Sequence, residues 1–108
     1  MENLLDQIPR DSEGFLLNLP DWQPNIAHAM ALKDGILLTK EHWDVIYALR
    51  AFYAEYNTSP TMRALLKILV NKMEPEKINS IYLHTLFPGG PAKQANKIAG
   101  LPKPIRCI

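Results

Sequence analysis

Lys40-Glu41-His42-Trp43-Asp44-Val45-Ile46-Tyr47-Ala48-Leu49-Arg50-Ala51-Phe52-Tyr53-Ala54-Glu55-Tyr56 is the stretch that decides the fold. Val45, Ile46, Leu49, Phe52, Tyr53 and Tyr56 recur at helical spacing, while Lys40, Asp44, Arg50 and Glu55 mostly take the other side. That periodicity predicts an amphipathic helix from Lys40 to about Tyr56. Thr39 stands where an N-cap belongs and Glu41 suits the first turn. Asn57-Thr58-Ser59-Pro60 stops this helix and begins the next, with Ser59 as the expected cap and Pro60 at the first position. Met62, Leu65, Leu66, Leu69 and Met73 then form a wide apolar stripe ending before Pro75. With Arg63 and Lys67 on the second helix, the pair allows an alternative reading as a DNA-binding helix-turn-helix. The dominance of apolar residues on that helix favours bundle packing instead.

Working outward, Asn79 or Ser80 is placed to cap a short helix carrying Ile81, Tyr82, Leu83, Leu86 and Phe87, and Pro88-Gly89-Gly90-Pro91 ends it. Ala92 to Ala99 reads as a further short helix with Lys93 and Lys97 on one face. On the other side, Pro24 opens a helix that buries Ile26, Ala27, Met30 and Ala31 and ends at Asp34-Gly35. Trp22 is expected to pack over the helical core. Leu4, Leu5 and Ile8, then the polar turn Arg10-Asp11-Ser12-Glu13-Gly14, then Phe15-Leu16-Leu17, predict a small β-hairpin. The expected class is therefore α+β, mostly α: an N-terminal β-hairpin on a compact bundle of about five helices, with a flexible C-terminal arm. The division expected is residues 1–99 for the hairpin and bundle and 100–108 for the arm.

That arm carries the one cysteine of the chain, Cys107. Pro102 and Pro104 fix φ and remove backbone donors, and Gly100 permits the left-handed conformation that ends helices, so these three are the expected hinge. A single cysteine excludes an intramolecular disulfide and fits a reducing compartment. At an ordinary thiol pKa near 8.5, about 3% is thiolate at pH 7. The chemistry open to such a thiol is a mixed disulfide, a persulfide or a covalent adduct.

The net charge of +1 hides an asymmetry. All 11 acidic side chains and seven of the 12 basic ones fall in residues 1–76. Residues 77–108 hold Lys77, Lys93, Lys97, Lys103 and Arg106 with no carboxylate side chain, so the arm and its base read as a positive patch suited to an anionic group or partner. His28, His42 and His84 lack metal-ligand spacing, and no metal site is expected. They read as surface or half-buried helix residues. Nucleophile-elbow, phosphate-loop and dinucleotide motifs are absent, so no cofactor is expected. With 47% hydrophobic and 21% charged residues the composition is that of a soluble domain. No apolar run approaches the roughly 20 residues of a membrane span, and the acidic N-terminus has no signal-peptide pattern, so a cytoplasmic protein is expected.

Asp11-Ser12-Glu13-Gly14-Phe15, Glu41-His42-Trp43-Asp44-Val45-Ile46, Phe52-Tyr53-Ala54-Glu55-Tyr56-Asn57-Thr58-Ser59-Pro60, Tyr82-Leu83 and the whole run from Leu86 to Ile108 resemble the TusE/DsrC family of small sulfur carriers. The resemblance implies that Cys107 accepts sulfane sulfur as a persulfide and hands it on. Lys93, Lys97, Lys103 and Arg106 would then stabilise the persulfide or engage a partner. The DsrC branch has a second cysteine eleven residues upstream, a position held here by Asn96. The resemblance is therefore to the TusE branch, which implies a sulfurtransferase relaying sulfur from a TusBCD-like donor complex to the tRNA thiouridylase MnmA, for 2-thiolation of the wobble uridine. The alternative it leaves is a DsrC-like role in sulfur oxidation, sulfite reduction or regulation, with sulfite reductase as partner.

Overall fold

The computed structural model describes residues 4–103; Pro104, Arg106 and Cys107, all singled out above, lie outside the described residues. Five α-helices account for about half of the described chain: α1 (Pro24–Lys33), α2 (Lys40–Tyr56), α3 (Met62–Leu69), α4 (Ser80–Leu86) and α5 (Lys93–Ile98). Short 3-10 turns at Leu4–Gln7, Leu19–Asp21 and Pro75–Lys77 complete the regular structure. None of these helices is long and apolar enough to cross a membrane.

The expected β-hairpin is not there. Among the described residues a single antiparallel bridge, Arg10 to Leu16, is all the β-structure. Leu4 and Leu5 lie in a 3-10 turn instead of a strand. Two local features limit the ladder. Pro9 accepts from the Leu17 N–H at 3.1 Å but has no N–H to return. The Asp11 carboxylate takes the N–H groups of Glu13 and Phe15, at 2.8 and 3.0 Å, and closes the turn on itself. The apolar residues still reach the core, where Leu5, Phe15 and Leu16 are buried.

α2 is the central element and packs against α3 and α5, while α1 packs against α5 and the first 3-10 turn. Its inner face is Val45, Ile46, Ala48 and Leu49, all nearly or fully buried. They meet Ile26, Met30, Leu65, Leu69, Leu83 and Ile98 in one core. Burying each of these side chains larger than alanine contributes about 1.5–3 kcal/mol. The stripe weakens toward the C-terminus of α2, where Tyr56 is largely exposed. Asn57 then adopts φ 56°, ending the helix in the left-handed region, where asparagine is among the better-tolerated residues.

The start of α3 departs from the expectation. Thr61, not Ser59, is the cap: its Oγ1 accepts from the Ala64 N–H at 3.1 Å. Pro60 precedes the helix and is buried. Ser59 is engaged elsewhere, donating its hydroxyl to Asn96 Oδ1 at 3.3 Å. Asn79 caps α4 as expected, accepting from the Tyr82 N–H at 2.8 Å.

Candidate functional site

The chain leaves the helical body at the end of α5, and the geometry there is fully specified. The last four carbonyls of a helix have no partner within it. Here each finds one. The Leu101 N–H donates to Asn96 O at 3.0 Å and the Gly100 N–H to Lys97 O at 3.1 Å, a Schellman closure with Gly100 at φ 74°. Trp22 Nε1–H donates to Ile98 O at 2.9 Å, and Arg50 Nη1 donates to Ala99 O at 2.7 Å. Gly100 and Leu101 are buried, Leu101 as part of the core.

The two donors also hold each other. The Arg50 guanidinium carbon lies 3.9 Å from the centre of the Trp22 ring. Tyr47 meets that indole edge-on at 6.2 Å, and Trp43 stacks on Tyr47 at 5.7 Å. Burial pulls the Arg50 guanidinium below its ordinary value, without threatening its charge at neutral pH. The packing of Trp22 is legible in the sequence; its bond to the end of α5 and the role of Arg50 are not. A lone Arg on a polar helix face carries no sequence signal for a carbonyl 49 positions away.

The predicted lysines are all close to this exit, and each faces a carboxylate. Lys93 Nζ lies 2.8 Å from Glu13 Oε1, Lys103 Nζ 2.7 Å from Glu13 Oε2, and Lys97 Nζ 2.6 Å from Asp34 Oδ2. Lys77, more distant in the chain, pairs with Glu41 at 3.3 Å. The basic segment is thus met by acids from the Asp11–Phe15 turn and from the end of α1. Lys103 and then Lys93 hold the Glu13 carboxyl far below its usual range, at about 2. A cleft of about 450 Å³ lies beside these pairs, lined by Arg10, Asp11, Glu13, Lys33, Asp34 and Lys97 among others.

Asn96 is 1% exposed. Its Nδ2 donates to Ala92 O at 2.7 Å, and its Oδ1 receives the Ser59 hydroxyl. Pro102 is half-buried and Lys103 exposed. Among the described residues no group of three or more His, Cys, Asp or Glu is placed to hold a metal ion.

His42 is neither at the surface nor half-buried, as the histidines were expected to be: it is 7% exposed and so buried. It completes a capping box with Thr39 at the start of α2, in the place usually taken by Glu or Gln.

The family model described as "DsrC like protein" matches residues 5–108. "Sulfurtransferase TusE" of Salmonella choleraesuis is 55% identical over 102 residues, covering 94% of each chain. The protein of the same name from Yersinia pseudotuberculosis is 54% identical over 101 residues, again 94% of each. Among solved structures, the crystal structure of the oxidized gamma-subunit of the dissimilatory sulfite reductase (DsrC) from Archaeoglobus fulgidus superposes with a TM-score of 0.85 at 39% identity, covering 94% of this chain and 92% of that one. The NMR structure of Allochromatium vinosum DsrC gives 0.81 at 51% identity, covering 94% and 90%. On a match that runs from the first 3-10 turn through Cys107, the chain belongs to the DsrC-like family.

Proposed function

We propose that this protein is a sulfur carrier whose sulfur-bearing atom is Cys107 Sγ. The observation that carries the reading is the 54–55% identity to sulfurtransferases over 94% of the chain, in a sequence with one cysteine that the family match includes. The loading step is a transfer without net redox change. The Cys107 thiolate attacks the outer sulfur of a donor persulfide, a new Sγ–S bond forms, the donor S–S bond breaks, and the donor leaves as its thiolate. Unloading is the same step with the acceptor's thiolate as nucleophile. Lys93, Lys97, Lys103 and Arg106 assist by stabilising the anionic persulfide or meeting a partner, the described three once their carboxylate contacts are exchanged for it. The segment after Gly100, with Pro102 and Pro104, delivers the sulfur.

The finer reading is a relay from a TusBCD-like donor to an MnmA-like tRNA thiouridylase in the cytoplasm, with no membrane partner. Asn96 supports it over a two-thiol redox cycle, since one sulfur atom cannot close an internal disulfide. Mass spectrometry after incubation with a persulfide donor tests the carrier itself: the wild type gains one sulfur, about 32 Da, and Cys107→Ser gains none while staying folded. A sulfur retained by the serine variant overturns the assignment. Pull-down with the chain intact or cut after Gly100, scored for a thiouridylase against a sulfite reductase, then decides the partner.

A further inference from the structure

We infer that Trp22 and Arg50 are positioning residues for sulfur transfer: they fix the direction in which the Cys107 segment leaves the body. This rests on the carrier reading above, but the geometry that carries it does not.

Ending α5 does not require these two side chains. The Schellman closure by Gly100 and Leu101 already terminates the helix through the backbone. Trp22 and Arg50 act on the next two carbonyls, those of Ile98 and Ala99, which are the last before the chain turns out. The donors come from different places, one from the end of a 3-10 turn ahead of α1 and one from the middle of α2. Together they tie the exit to two elements far away in sequence. Each restrains the other through the 3.9 Å stacking of guanidinium on indole. Behind Trp22, Tyr47 and Trp43 form a row of rings along α2. In front of it, Gly100 lies so close that a Cβ built there overlaps the indole Cδ1. The peptide planes of residues 98–100 are therefore held from both sides, and buried Leu101 anchors the next residue.

The length of the remaining arm makes this angle matter. From Pro102 to Cys107 is six residues, at most about 20 Å of extended chain. Pro102 fixes its own φ at the start of that length, so the exit angle is carried forward from Leu101. A 30° error at the base moves a tip about 20 Å away by about 10 Å, and misplacement of only 1 Å can cost about 100-fold in rate. A carrier that must enter a partner's active site gains from an exit aimed before the encounter.

The test uses the full chain with spin labels on Cys107 and on an introduced Glu55→Cys, whose native side chain is exposed on α2. Double electron-electron resonance on the wild-type background should give a narrow distance distribution. Trp22→Phe keeps the ring and loses the N–H; Arg50→Met keeps the length and loses the charge and donors. The double variant should broaden the distribution at least about twofold, with Arg50→Lys restoring part of it. Unlabelled variants with native Glu55 should load sulfur from glutathione persulfide at the wild-type rate, yet pass it to the thiouridylase about tenfold more slowly. An unchanged distribution in the folded double variant, or wild-type transfer despite a broadened one, overturns the proposal. Should the double variant unfold, Trp22→Phe alone is read in the same way. Failure of the wild type to load sulfur counts against the carrier reading and leaves the distance result standing as the measure of the clamp.

Discussion

His42 Nε2 lies 2.8 Å from the carbonyl oxygen of Leu86, joining the first turn of α2 to the last residue of α4. The other ring nitrogen, Nδ1, accepts from the Thr39 N–H at 3.0 Å. Nδ1 is thus unprotonated and Nε2–H is the donor, so the neutral imidazole satisfies both contacts. Phe87 meets the ring edge-on at 5.2 Å. Protonating Nδ1 would set its N–H against that of Thr39 and leave only the Thr39 hydroxyl oxygen, 2.9 Å away, to accept it.

Stability should therefore fall as the pH drops below neutral. Burial lowers the His42 pKa from 6.5, opposed in part by the Leu86 carbonyl and the Glu41 carboxylate. Between the folded and unfolded pKa values the unfolded chain binds the extra proton, so stability is complete above pH 6.5 and is lost as the pH falls toward the folded value. His42→Gln should flatten the dependence of denaturation midpoint on pH between 7 and 5. His42→Ala should cost about 2–3 kcal/mol at pH 8, from a lost cap and a buried carbonyl left unpaired. A pH profile unchanged by either variant would sink this account.

Glu13 has the opposite sign. Its carboxyl is held at about 2, below the ordinary 4.5, first by Lys103 and then by Lys93. Its ion pairs are thus complete above pH 4.5 and are lost as the pH falls through about 2. The carboxyl carbon resonance of Glu13 should titrate with a midpoint near 2, and Lys103→Gln should move that midpoint toward 4.5. At neutral pH salt, not acid, is what loosens these exposed pairs. Glu13→Gln should raise the rate at which Lys93 and Lys103 react with an acylating reagent several-fold, and high salt should do the same to the wild type.

Much of the bundle was legible because local signals and core packing agree in it. Thr39 and the period of Val45, Ile46 and Leu49 mark α2, and Asp34-Gly35 and Asn79 mark the neighbouring boundaries. The N-terminal segment reads as a hairpin because two apolar stretches around a polar turn resemble one, while the ladder is limited by a missing donor at Pro9 and by a carboxylate at Asp11 that competes for it. Ser59 has the local signature of a cap, but Asn96, 37 residues away, holds its hydroxyl. Cys107 stands out in the sequence by its place in the arm. The Trp22 and Arg50 contacts do not, since donors reaching across 76 and 49 positions leave no local pattern.

Gly100→Ala should be far more costly than Gly35→Ala. Both glycines have positive φ, 74° and 79°, so both substitutions meet the left-handed penalty of about 1–2 kcal/mol. Around Gly35 an added Cβ meets nothing within 4 Å, whereas at Gly100 it meets Trp22. Overpacking adds about 1–3 kcal/mol, for a total near 3 kcal/mol at Gly100. Urea denaturation should separate the two variants by at least about 1 kcal/mol, with altered Trp fluorescence in Gly100→Ala alone. Equal losses would show that Trp22 yields freely.

Asn96→Cys asks what a second thiol at this point of the fold would do. The side chain is 1% exposed and lies on the inner face of α5, so a cysteine there replaces a buried amide. Ala92 O keeps the Asn96 backbone N–H as a partner at 3.2 Å, and Ser59 is only part-buried, so the lost side-chain bonds should cost about 1 kcal/mol. The new thiol should be shielded. In a thiol titration with an aromatic disulfide reagent, the variant should show one more reactive equivalent than the wild type, appearing slowly and rising in rate with denaturant as α5 opens. Disulfide formation with Cys107 under mild oxidant should follow the same slow phase, because the buried sulfur must first reach solvent. Immediate reaction of both thiols, or a disulfide that closes faster than the extra equivalent titrates, would mean that α5 opens readily near Asn96. The end of α5 would then be too loose for Trp22 and Arg50 to aim anything.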